Sequence, residues 1–224
     1  MTVRFSGVTG RVGIFLLILG IFSACQSVNV KENYSLDSEQ GADKAIIFGT
    51  VSQNVETNNS TLADFRINHT TRSKTKIMYS REENPLFDAL NSYDFQENLE
   101  GGRLFVLEIE PGTHQLDYWS IRDNSVRLYP KVAPPPLEFE AAAGEILYLG
   151  NFHMTISTYK NFLGIRMPLG GEPLLRNKYE RDLELFHKEY TQFRGQDVLV
   201  RVLRDGPWID DIHDEEELII PTSE

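Results

Sequence analysis

The chain has 224 residues, 41% hydrophobic and 25% charged, with 16 Gly and 10 Pro, a balance that describes a folded protein because disordered chains carry fewer core-forming side chains. Its single cysteine, Cys25, excludes an intramolecular disulfide, a Cys-based zinc knuckle and an iron–sulfur site. A net charge of −11 argues against nucleic acid as a partner.

Arg4 and Arg11 precede an apolar run from Ile14 to Phe22, and Ser23-Ala24 put small residues immediately before Cys25. That order is the anatomy of a bacterial secretion signal. The stretch from Val12 to Ala24 is shorter than the ~20 residues a helix needs to cross the hydrocarbon layer. Phe22-Ser23-Ala24-Cys25 resembles the lipobox of bacterial lipoproteins, with Phe22 where that family usually carries Leu. The resemblance implies a diacylglycerol thioether on Cys25, cleavage before it and acylation of the new amine. Residues 1–24 are then a signal peptide, and the membrane is a partner through the lipid. Gln26 resembles an outer-membrane address, facing the periplasm, because Asp at that place retains such proteins in the inner membrane. Losing residues 1–24 removes two arginines and no acidic residue, so the body grows more acidic and attachment must come from lipid rather than a basic patch.

Residues 25–43 read as the lipidated cysteine and a flexible tether, since they are polar and show neither helical nor strand period. From Lys44 the chain reads as short strands: Ala45 to Val51, Ala63 to Ile67 and Thr75 to Tyr79, with Asn/Thr/Ser-rich loops between them. Pro85 to Asn98 fits either a short helix or a packed loop. In Arg103 to Ile121 the apolar residues alternate on both sides of Pro111-Gly112, which predicts a β-hairpin closed by a type II turn. In its second half Leu116, Tyr118 and Ser120 are expected on one face, and Asp117, Trp119 and Ile121 on the other.

Val126 to Tyr129, Leu137 to Glu140, Glu145 to Thr155 and Asn161 to Met167 follow as strands, with a bulge expected at Gly150. The period then switches: Leu175, Tyr179, Leu183, Phe186, Tyr190 and Phe193 recur at steps of three and four, predicting an amphipathic helix over 173–193 that opens at Pro173 and ends at Gly195. Asp197 to Leu203 makes a last strand, and 206–224 an acidic tail. The fold class is mainly β: an antiparallel two-sheet β-sandwich over 44–205 with one C-terminal amphipathic helix.

The segments LFVLEIEPGTHQLDYWS (104–120) and LEFEAAAGEILYLGNF (137–152) resemble bacterial lipoproteins of unknown function built on a transthyretin-like or carboxypeptidase-regulatory-like sandwich. The match covers the central third of the chain. It implies a fold and carries over no catalytic residue.

Chemistry-bearing motifs are sparse. His114 and His153 would share a metal only if their strands were neighbours; without HExxH or clustered ligands, a turn-side histidine and a core or edge histidine fit better, so no metal and no cofactor are expected. No G-x-S-x-G turn or phosphate-cradling glycine spacing occurs, and no catalytic residue is assigned. Tyr118 and Trp119 alternate, so an exposed ring there is a contact candidate, with core packing the preferred place for Trp119. Trp208, before the tail, reads as a surface aromatic. The expected function is a non-enzymatic envelope lipoprotein acting as a binding or assembly module for an envelope protein or glycan, with His114, Tyr118, Trp119, His153 and Trp208 as contact residues. The alternative is a hydrolase or ligand sensor acting on envelope glycan or peptide through Trp119, His114 or His153.

Overall fold

The structure is a computed structural model that describes residues 29–31, 33–36, 38, 41–55, 61–81, 92–123 and 126–209. Residues 1–24, Cys25 and the acidic run from Asp210 lie outside these residues. The described strands are β1 (Ala45–Asn54), β2 (Leu62–His69), β3 (Thr75–Tyr79), β4 (Phe95–Glu97), β5 (Glu100–Ile109), β6 (Gly112–Arg122), β7 (Arg127–Leu128), β8 (Leu137–Ala141), β9 (Ile146–Lys160), β10 (Arg166–Arg176), β11 (Leu199–Val200) and β12 (Gly206–Pro207). The helix α1 (Tyr179–Glu189) is followed by one 3-10 turn, Thr191–Phe193.

The strands form two sheets. A seven-stranded sheet has the order β12-β10-β9-β1-β5-β4 with β11 also on β9, and a five-stranded sheet has β3-β2-β6-β7 with β8 also on β6. The mainly β, two-sheet expectation is met, with one correction: β9 runs parallel to β1 and to β11, so the larger sheet is mixed.

Between the sheets lies one core that includes Ile47, Phe65, Leu107, Leu116, Trp119, Phe152 and Trp208. A second core on the outer side of the larger sheet joins Ile46, Phe48, Val106 and Tyr148 to Phe186, Tyr190 and Phe193. β1 is therefore covered on both faces, which is why Ala45 to Phe48 reads as a continuous apolar run rather than an alternation. Phe186 stacks on Phe48 at 4.2 Å between centroids and on Phe193 at 5.3 Å. Burying each such ring contributes about 2–3 kcal/mol.

The predicted hairpin at Pro111-Gly112 does not form. β5 pairs with β1 and β4, whereas β6 pairs with β2, β7 and β8, so the Pro-Gly link carries the chain from one sheet to the other. Gly112 has φ +127°, a conformation that favours glycine and turns the chain across the core. Alternation survives such a crossing because each strand still has one face inward, so periodicity alone cannot tell a hairpin from an arch. The expected phase of β6 is corrected too. A register shift after Arg66 inserts Asp117 as a bulge, and Leu116, Trp119 and Ile121 all point inward. The bulge expected at Gly150 is present: Phe48 pairs with Tyr148 and Thr50 with Asn151, and Gly150 has φ +114°.

The helix starts six residues later than predicted. Pro173 to Arg176 belong to β10, where Leu175 packs in the inter-sheet core; the long β9 needs an antiparallel partner, and that pairing outweighs the helical period of the first turns. From Tyr179 the period holds, and Leu183, Phe186 and Tyr190 turn to the sheet. Of the segment Pro85 to Asn98, positions 85–91 lie outside the described residues, and Phe95–Glu97 is a strand. Asn161 to Ile165 are a turn before β10, and the last predicted strand shrinks to Leu199–Val200.

The two ends are more structured than expected. Asn29 holds β5 through its side chain, Nδ2 donating to the Leu104 carbonyl and Oδ1 accepting from the Val106 N–H, while the Val30 N–H bonds the Val106 carbonyl and Leu36 is buried. These tether residues dock on the larger sheet. At the other end Gly206–Pro207 pair with β10, the Trp208 N–H bonds the Pro173 carbonyl, and the indole Nε1 donates to the Pro135 carbonyl at 2.8 Å.

Candidate functional site

The two sheets present different outer faces. The larger sheet is covered by α1 and the N-terminal segment, whereas on the outer face of the five-stranded sheet Leu62, Asp64 and Ser120 are buried and the side chains of Arg66 and Arg127 are partly exposed. On that face three guanidinium groups lie over three tyrosine rings: Arg66 over Tyr118 at 4.3 Å, Arg122 over Tyr79 at 5.4 Å and Arg127 over Tyr129 at 5.8 Å. The pairing register Asp64↔Tyr79, Asp64↔Ser120 and Arg66↔Tyr118 lays these groups side by side. The Asp117 bulge turns Tyr118 outward while Trp119 goes into the core.

Beneath the arginines sits Asp64, buried, accepting from Ser120 Oγ at 2.6 Å; Arg127 reaches both, with Nε donating to Ser120 Oγ at 3.2 Å and Nη2 3.6 Å from Asp64 Oδ2. Burial pushes the Asp64 carboxyl up, while Ser120 and the arginines pull it down. At one side Asn68 Nδ2 donates to Asp117 Oδ2 at 2.6 Å and Arg66 Nε lies 3.4 Å from Asp117 Oδ1. The arginines are thus held in place and the tyrosine faces are half-exposed, an arrangement suited to contact because aromatic and Arg side chains supply most of the energy at interfaces.

His153 lies elsewhere, on the outer side of the larger sheet near the start of α1. Its Nδ1 is 2.9 Å from Ser52 Oγ and 3.7 Å from Glu100 Oε2. Arg176 ties this group together: Nη2 donates to Glu100 Oε1 at 2.6 Å and to Ser52 Oγ at 3.3 Å, and Nε donates to Asn151 Oδ1 at 2.8 Å. Burial, reinforced by Arg176, lowers the His153 pKa to about 4, so at neutral pH the ring is neutral. Burial pushes Glu100 up, but Arg176, Ser52 and His153 together hold it below the usual carboxylate range. A catalytic relay uses both ring nitrogens, one for the nucleophile and one for the orienting carboxylate. Here Ser52 and Glu100 meet the same nitrogen, and Ser52 is fully buried.

The network continues into the helix. Asp182, buried in the first turn of α1, accepts from Thr50 Oγ1 at 2.9 Å, Tyr148 OH at 2.8 Å and Arg181 Nε at 2.9 Å. The Tyr148 hydroxyl in turn accepts the Lys178 N–H at 3.0 Å, one of the helix-start donors that has no intrahelical partner. Burial raises both Asp182 and Tyr148 above their ordinary values. These groups pin the helix to the sheet.

His114 points into the open end of the sandwich beside His69, its register partner, with ring centroids 4.7 Å apart. His114 Nε2 bonds the Glu110 carbonyl at 2.8 Å, and burial next to His69 lowers its pKa to about 4. A cavity of about 120 Å³ lies against the pair, lined also by Lys44, Lys74, Lys76 and Glu110. His69 escaped the sequence reading because nothing but strand register brings it to His114. His114 and His153 sit on different sheets and share no site. Among the described residues no group of three or more His, Cys, Asp and Glu has the placement to hold a metal ion.

Of the residues singled out from the sequence, Tyr118 alone joins the outer face of the five-stranded sheet. Trp119 is buried in the core and Trp208 is wholly buried, so Trp208 is corrected from a surface aromatic to a core residue. The partners of Tyr118 were missed: Arg66, Tyr79, Arg122, Arg127 and Tyr129 look unremarkable until register aligns them.

No family model matches the chain, and no curated protein matches it. A solved structure described as a leucine-rich repeat protein from Bacteroides thetaiotaomicron is similar over 62% of this chain and 19% of its own, with 10% identity and a TM-score of 0.30. A likeness of that size carries no argument about fold or function.

Proposed function

We propose that the protein is a non-enzymatic, lipid-anchored binding module of a bacterial envelope, which holds an envelope protein or glycan on the outer face of its five-stranded sheet. The observation that carries this is the row of three Arg–Tyr pairs on the outer face of the five-stranded sheet, where Tyr129 and the Arg66 and Arg127 side chains reach solvent, opposite a sheet covered by helix and N-terminal segment. Stacked rings offer apolar faces to a sugar or a side chain, and their guanidinium partners offer paired donors to a carboxylate. The lipobox-like Cys25 and the resemblance to sandwich-type lipoproteins belong to the same proposal and give the module its address, the outer membrane facing the periplasm. The hydrolase alternative is not favoured, because Trp119 is in the core and His114 and His153 belong to separate sheets.

The test is site-specific photocrosslinking in intact cells, with the photoreactive residue at Tyr129 or Tyr118 and, as a control, at Glu184 on α1. A discrete adduct from the two face positions and none from Glu184 is expected. Equal adducts from all three positions, or none from the face, would overturn the proposal.

A further inference from the structure

β9 and β10 run on past the sheet that holds them. The pairing of β9 with β1 ends at Gln53↔Met154, but β9 and β10 stay paired to Arg166↔Lys160. Ile156 is still in the core, with its backbone bonded to the Asn54 side chain, so the outermost four residues of β9, 157–160, form a two-stranded ribbon about 13 Å long, at ~3.3 Å per residue, that extends past the sandwich. Its tip is apolar and uncovered: Phe162 is 94% exposed, Leu163 67% and Ile165 56%, with Leu169, also exposed, nearer the sheet. Monomeric proteins rarely leave such a contiguous group in water without use.

The tip is built to leave water. Asn161 satisfies its backbone donors, its Oδ1 accepting the N–H of Leu163 and of Ile165 at 3.0 Å each, while its carbonyl accepts the Gly164 N–H at 2.9 Å. Backbone polar groups satisfied within the loop remove the main penalty for entering an apolar medium. Behind the tip, Lys160 and Arg166 face each other as a register pair, followed by exposed Tyr159. In a chain of net charge −11, residues 156–171 carry these two cations and no Asp or Glu. An apolar point, then a basic collar and a tyrosine, is the order of groups met on passing outward through a bilayer surface with anionic headgroups.

Chain direction agrees. Asn29 and Val30 lie along β5 at Leu104 and Val106, so the chain traced back from Val30 to Asn29 heads toward Glu100, the end from which the ribbon projects. Cys25 is four residues further back, within about 14 Å of Asn29 even if fully extended. Lys160 lies nine residues, about 30 Å at ~3.3 Å per residue, beyond the Leu104–Thr50–Asn151 level, so an anchor on that cysteine and the ribbon tip meet one membrane with the strands inclined to its surface.

We infer that the β9–β10 tip is a second membrane contact, in which Phe162, Leu163 and Ile165 enter the interface and Lys160 and Arg166 bind anionic headgroups. Its orienting role rests on the lipid-anchor proposal; its affinity for lipid does not. With two attachments the protein cannot swivel freely about its lipid.

The test uses the full processed chain purified from membranes and mixed with vesicles of phosphatidylethanolamine and phosphatidylglycerol, with and without a lipid carrying a spin-label quencher on its acyl chain. Phe162→Trp reports on the tip and Val132→Trp is the exposed control, with the signal of the buried Trp119 and Trp208 subtracted. At saturating lipid, a blue-shifted Trp at 162 that is quenched by the labelled lipid, with Val132→Trp unaffected, is expected, and adding Lys160→Glu and Arg166→Glu should reduce the quenching. Flotation at low lipid reads the anchor separately. A chain that floats without quenching at 162 overturns the tip contact and leaves the anchor standing. One that fails to float but is quenched at high lipid upholds the tip and removes the anchor. Absence of quenching at any lipid concentration, as expected if the tip serves a protein instead, overturns the inference.

Discussion

Replacing Trp208 by Ala tests whether the end of the chain is part of the core. The indole is fully buried, lies 6.3 Å from Phe65 between ring centroids, and donates Nε1–H to the Pro135 carbonyl at 2.8 Å. A buried Trp removes about 200 Å² from water, which at ~25 cal/mol per Å² gives an upper value of about 5 kcal/mol. The lost hydrogen bond adds about 1 kcal/mol, and partial collapse of the cavity returns some of the sum, so a loss of about 4 kcal/mol is expected. Out of a total stability of about 5–15 kcal/mol this is a large fraction. Urea unfolding followed by Trp119 fluorescence should show the midpoint falling steeply. Trp208→Phe should recover more than half of the loss, and a chain ending at Asp205 should be at least as unstable as the Ala variant. A change under about 1 kcal/mol for Trp208→Ala would refute the placement of this residue in the core.

Asp182→Ala removes the buried acceptor shared by Tyr148 OH, Thr50 Oγ1 and Arg181, and should cost about 3 kcal/mol by the same denaturation assay, with Asp182→Asn milder because an acceptor remains. Acid stability should report His114 and His153. Their folded pKa values of about 4 lie below the ordinary 6.5, so neither contributes above pH 6.5 and each destabilises the fold as pH falls from about 6.5 toward about 4. The loss is bounded at about 3 kcal/mol per histidine. Asp64 and Asp182, raised by burial, act in the opposite sense at the acid end, so the clean measurement is the difference between the parent and His114→Gln across that window. A difference independent of pH would contradict the buried, neutral His114.

The sequence makes some of this architecture legible and hides the rest for physical reasons. Alternation and apolar runs locate most strands, because burial on one or two faces is written into residue type. Which strand pairs with which is not written locally: Leu104 to Ser120 reads the same whether Pro111-Gly112 closes a hairpin or crosses between sheets. The helical period of Tyr179 to Phe193 is real, yet Leu175 satisfies the same spacing while lying in a strand, since i and i+4 share a face in both settings. The contact face suffers most. Tyr118 could be picked out, but its partners come from β2, β3, the end of β6, β7 and the β7–β8 link, and Arg66, Arg122 and Arg127 acquire meaning only through register and the Asp117 bulge. A Gly-Pro pair before an acidic run resembles the end of a fold, yet Gly206–Pro207 pair with β10 and the Trp208 N–H bonds the Pro173 carbonyl, which carries the indole into the core.

The lipid anchor is the proposal on which the address and the geometry of the membrane contacts depend. Labelling cells with radioactive palmitate and comparing the parent chain with Cys25→Ser tests it directly. Label on the parent at the mass of a chain lacking residues 1–24, and none on the Cys25→Ser protein, is predicted. An unlabelled parent that fractionates as a free protein with its leader attached, or label that persists after Cys25→Ser, would contradict it.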